Sequence, residues 1–71
     1  MKDLYINIKK RREELGITQR ELAKACGYKD HTTIAKMEKG HVDISVERLE
    51  QIANILDIHP AVLLGGWNKE Q

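Results

Sequence analysis

The chain has 71 residues, 41% hydrophobic and 32% charged, with one proline, one cysteine and a formal net charge of +1. Such a length leaves room for one domain whose core supplies a stability surplus on the order of a few kcal/mol, and it excludes a multidomain enzyme. The composition excludes a disordered chain, while the longest apolar run, Ala61 to Leu64, falls far short of the roughly 18 residues of a membrane span; with no signal-peptide stretch at the start, the expected compartment is the cytoplasm.

Leu4, Ile8 and Leu15, with Tyr5 beside them, recur at helical spacing and predict an amphipathic helix from about Asp3 to Leu15, ended by Gly16. Thr18-Gln-Arg-Glu21 is a capping box that starts a second helix, with Leu22, Ala23, Ala25 and Cys26 on its apolar side and Gly27 to close it. Asp30 is expected to cap a third helix that runs to Lys39, carries Ile34 and Met37 inward and stops at Gly40. Ser45 caps a fourth, with Leu49, Ile52, Ala53 and Leu56 at helical spacing; His59-Pro60 opens a fifth, which Gly65-Gly66 terminates. The resulting fold class is all-α: a compact five-helix domain, residues 1–71, with its core about 4–64 and a short tail 65–71. The expected interior is Ile17, Leu22, Ile34, Met37, Val46, Leu49, Ile52, Leu56, Ile58, Val62 and Leu63.

Divided along the chain, the charge is asymmetric. Residues 1–40 hold ten Lys/Arg against six Asp/Glu, and residues 41–71 two against five. A basic half suits an anionic partner, although charge runs also serve merely as solvated faces. Lys9, Lys10, Arg11 and Arg12 can be read either way, as a patch that follows phosphates or as a wetted helix face. Cys26 reads as a small buried hydrophobe, and its spacing from His31, His41 and His59 matches no zinc site, so neither metal nor cofactor is expected.

Two short helices joined by a tight glycine-containing turn can form a helix-turn-helix if the second lies across the first. Ala23 leaves space for that crossing, and Ile34 can pack on Leu22 while the opposite face stays free. That face would carry His31, Thr32, Ala35, Lys36 and Lys39, short or donor-rich groups suited to base edges and phosphates.

The ordered set Arg12-Glu-Glu-Leu-Gly-Ile-Thr-Gln19, Glu21-Leu-Ala23, Thr33-Ile-Ala-Lys-Met-Glu-Lys-Gly40, Ser45-Val-Glu-Arg-Leu49 and the Leu56-Asp-Ile58 break resembles the phage repressor and Cro-like (xenobiotic-response-element type) helix-turn-helix family over residues 4–64. The resemblance implies a lambda-repressor-like domain, with helices 2 and 3 as the helix-turn-helix and double-stranded DNA as partner. It places base-reading positions on His31, Thr32 and Lys36, with Thr33 and Ala35 close by, and a phosphate contact on Gln19. Lys39, Lys10 and His41 are the other expected phosphate contacts, and Arg12 with Glu38 takes the family's structural ion pair. Gly27 to Ile34 holds one residue more than the commoner pattern, around Lys29, which bears on the register of His31 and Thr32 more than on Lys36. Similar repressors pair through their carboxy-terminal part, so Val62, Leu64 and Trp67 are the expected dimer surface of a homodimer on a near-palindromic operator.

The leading expectation is a sequence-specific transcriptional regulator that represses by occupancy. An antitoxin with a toxin partner is a second DNA-binding reading, and a protein-interaction module that has lost DNA binding is a third. No nucleophile, base and orienter, nor a phosphate-cradling glycine loop, can be assembled from these residues, so an enzyme is not expected.

Overall fold

The computed structural model describes residues 2–65, in which five helices follow one another and no strand occurs. Helix α1 (Lys2–Glu14) buries Leu4, Tyr5, Ile8 and Arg12, one face at helical spacing. Leu15 does not continue that stripe: the helix ends at Glu14, Gly16 takes φ 70° and turns the chain, and Leu15 is left 41% exposed. The turn is closed by Ile17 N–H donating to Arg12 O at 3.0 Å.

Helix α2 (Gln19–Cys26) begins at the expected capping box. Thr18 Oγ1 accepts from Glu21 N at 3.0 Å, while Thr18 N donates to Glu21 Oε1 at 2.8 Å, so two otherwise orphaned N–H groups are satisfied. Leu22, Ala23 and Cys26 turn inward. Ala25, expected on that side, is exposed, because its position lies about a quarter turn or more from the line through the other three. Gly27 closes the helix at φ 84°, with Tyr28 N donating to Ala23 O at 2.9 Å.

Helix α3 (Thr32–Glu38) is shorter than the expected Asp30–Lys39. The N-cap position is His31, whose side chain makes no capping bond; Asp30 instead bends its carboxylate forward to accept from Thr32 N at 2.8 Å. This is the local Asx geometry of a turn, which satisfies the same orphan donor without being part of the helix. Past Lys39 the chain leaves at Gly40 (φ 78°), where Tyr5 lies 3.7 Å from the place of an added Cβ.

Helix α4 (Val46–Ile55) is capped by Ser45, whose Oγ accepts from Arg48 N at 3.1 Å. Val46, expected in the core, is 68% exposed, since a side chain in the first turn points back past the helix start and here meets no other element. Helix α5 (Pro60–Leu63) opens with His59 Nδ1 accepting from Ala61 N at 3.0 Å. Leu63 is buried, Val62 only half-buried. Gly66 and Trp67 lie outside the described residues.

Helix α3 rests on α1 and α2, α4 packs on α2 and α5, and α5 returns to α1. Leu4, Ile8, Leu22, Ile34, Met37, Ile52, Leu56 and Leu63 are all but inaccessible at the centre, with Ile17 and Ile58 partly buried at its margin. Between elements, polar side chains from distant positions satisfy helix ends. Arg11 donates to Leu56 O (2.9 Å) and Asp57 O (3.1 Å) at the end of α4, Asn7 to Leu63 O (3.0 Å) at the end of α5, and Arg48 to Cys26 O (2.9 Å) at the end of α2. Arg11 is thus committed to α4, where cation and helix dipole agree, and leaves the phosphate patch in which the sequence admitted it. No described helix is long and apolar enough to cross a membrane.

Candidate nucleic-acid interface

Glu38 anchors the third helix from behind. Arg12 Nε donates to Glu38 Oε2 at 2.7 Å and the same guanidinium donates to Oε1 at 3.1 Å, a bidentate pair with side-chain exposures of 9% and 3%. Arg12 also donates to Ile17 O at 2.8 Å, and Gln19 Nε2 donates to Glu38 Oε1 at 3.0 Å. One carboxylate therefore ties α3 to α1 and to the first residue of α2, and the Glu38 bonds raise the Arg12 pKa still further above its ordinary value. The described buried side-chain polar atoms all have partners.

With Ile34, Met37 and Glu38 turned inward, helical spacing leaves Thr32, Ala35, Lys36 and Lys39 along the other face. Thr32, Lys36 and Lys39 are exposed and Ala35 is half-exposed; His31 and Thr33 stand half-exposed on the flanks. The face carries no acidic residue. No side chain of these six makes a hydrogen bond among the described residues, and Asp30, at the margin, has its carboxyl held below the usual range by the Thr32 backbone N–H.

The predicted phosphate contacts do not all fall together. Gln19 stands at the start of α2 with one amide hydrogen given to Glu38, which leaves the other free. Lys39 and His41 are exposed around the exit of α3. Lys10 stands on the face of α1 turned away from Leu4, Ile8 and Arg12, whereas Lys9 lies on the edge shared with Tyr5 and Arg12, from which Arg12 reaches α3. Of the expected dimer residues, Leu64 is 42% exposed, Val62 is half-buried and Trp67 is outside the described residues. Among the described residues no His, Cys, Asp or Glu cluster could hold a metal ion, and burial pushes the Cys26 thiol up from its ordinary pKa.

Sequence reasoning did not single out Arg48, which stacks over Tyr28 at 4.6 Å from the ring centroid and holds the carbonyl end of α2, fixing the turn into α3. The double duty of Gln19 was also missed, because a bond to Glu38 exists only once the two helices cross.

A family profile described as helix-turn-helix matches residues 8–63. Among solved structures, the chain is similar to the clp gene regulator ClgR from Corynebacterium glutamicum, with a TM-score of 0.82 and 27% identity over 89% of this chain; it spans 66% of that chain's length. It is similar also to the restriction-modification controller protein C.AhdI from Aeromonas hydrophila, with a TM-score of 0.76 and 27% identity, covering 84% of this chain and 86% of that one. No curated protein matches. The arrangement of α2 and α3, the profile that spans most of the chain and the two regulator folds agree: the chain belongs to the phage repressor/Cro-like helix-turn-helix family.

Proposed function

We propose that the protein represses transcription by occupying a near-palindromic operator as a homodimer, with α3 in the major groove. The observation that carries this reading is the outward face of α3, which is polar or small, free of carboxylates and unused by the fold. Lys36 donates to guanine O6 or N7, Thr32 offers a methyl to thymine or a hydroxyl to an acceptor, and Ala35 gives close approach. His31 and Thr33 contact the flanking bases. Gln19, Lys39 and His41 hold phosphates, and on α1 this role falls to Lys9 in preference to Lys10. The gene-regulator and controller roles printed for the two similar structures support regulation as the outcome of binding.

Pairing is assigned to the α1/α5 side, where Ile6 (49%) on α1 and Leu64 (42%) at the end of α5 leave apolar surface open and the two helices are in contact. Selection of bound duplexes from a random pool tests the reading: enrichment of an inverted repeat supports it, and no binding at low salt overturns it. Lys36→Ala should cost specific binding about 1–3 kcal/mol and relax preference at one base pair while the melting temperature holds.

A further inference from the structure

The turn from α2 to α3 borders an open cleft lined by Arg20, Lys24, Tyr28, Lys29, Asp30 and His31. Arg20 and Lys24 are one helical turn apart and so share an edge of α2, and Lys29 faces them across the turn. All three are exposed, and none forms an ion pair among the described residues. The cleft's single carboxylate, Asp30, accepts from the Thr32 backbone N–H, which favours its charged form. Behind Tyr28 stands Arg48, whose hydrogen-bond partners, Cys26 O and Gln51 Oε1, are both uncharged. Arg20, Lys24 and Lys29 thus line the cleft against one carboxylate, a net positive edge that attracts an anion, and the Arg48 guanidinium on the Tyr28 ring adds to it. At its far end the cleft reaches His31, the residue that leads into the outward face of α3. The anion best placed to meet a cationic edge continuous with a base-reading helix is the sugar-phosphate backbone next to the bases that helix reads.

We propose that Arg20, Lys24 and Lys29 form a phosphate track that grips the duplex backbone beside the base pairs read by α3. The proposal rests on the DNA reading of α3 and adds contacts that neither the motif nor the outward face of α3 supplies. Phosphate contacts release counterions and carry no base information, so they leave a signature distinct from that of Lys36.

The test is fluorescence anisotropy of the full chain on its selected duplex and on a scrambled one, over a series of salt concentrations. In the Arg20→Gln/Lys24→Gln/Lys29→Gln variant the slope of log K against log salt should shrink by about 2–3, at about 0.9 per lost phosphate contact. Affinity should fall alike for both duplexes, leaving their ratio unchanged. The charge-preserving variant Arg20→Lys/Lys24→Arg/Lys29→Arg should restore the slope, and failure to do so would overturn a track built on charge. An unchanged slope in a Gln variant that melts like the parent overturns the proposal alone, and would turn the edge over to an acidic protein partner. A parent chain that binds no duplex at low salt overturns the track together with the reading of α3.

Discussion

Glu38 accepts three hydrogen bonds from two other helices with a side chain that is 3% exposed, so its removal leaves the buried Arg12 guanidinium with only the exposed Glu13 carboxylate, 4.0 Å away, as counter-charge. Glu38→Ala should destabilise the chain by about 3–5 kcal/mol in urea unfolding, whereas Arg12→Met/Glu38→Leu should recover most of that loss, because an apolar pair has no charge to desolvate. A double variant no more stable than the single one would show that the geometry of the bonds matters more than the burial of charge. The Arg12 and Glu38 pairing came to the sequence reading through family resemblance, since nothing local to residues 26 positions apart declares it. Gln19 shows the limit from the other side: its position at the start of a helix is plain in the sequence, but its bond to Glu38 depends on the crossing of α2 and α3.

The helices start where their caps are written. Thr18 with Glu21, and Ser45, act within four residues, so their hydrogen bonds were legible from spacing alone. The closures by Arg11, Asn7 and Arg48 span 22 to 56 residues and have no local signal. Val46 and Ala25 were misplaced because apolar character was read without the angle each holds on its helix. The carboxyl groups that act in turns and caps also set how the elements respond to acid. Glu21 lies below its ordinary 4.5 because it accepts the Thr18 backbone N–H, and Asp30 lies below 3.8 because it accepts that of Thr32. Both folded values are depressed, so the stability they contribute is complete above the unfolded values and is lost as the pH falls through the folded ones. The melting temperature should therefore drop below about pH 4.5, and Glu21→Gln should lower it at pH 7 and flatten part of that drop, so that variant and parent converge in acid. An acid profile identical to the parent's would remove Glu21 from the account.

At the scale of the molecule, the basic half of the chain carries the turn and the reading helix, and the acidic half supplies their support in α4 and α5. That division was legible in the charge count, and the resemblance put the expected dimer surface on Val62, Leu64 and Trp67; the contact of α1 with α5, which adds Ile6 to the proposed surface, was not legible. In the proposed homodimer, pairing through that surface would set two copies of α3 one DNA turn apart, about 34 Å. Leu64→Lys should move the sedimentation profile toward the monomer and weaken binding to a full operator more than to a half-site; an unchanged profile would place the pairing surface elsewhere.

The side chains that seat α3, Ile34, Met37 and Glu38, and those that it presents, Thr32, Ala35, Lys36 and Lys39, form two sets with no member in common. Seven residues are too few to hold a helix in water alone, so the first set keeps the second in shape. The second set answers to nothing inside the protein. Its identities can be exchanged at little thermodynamic cost, so that, on the proposed reading, the operator recognised can change while the interior stays the same.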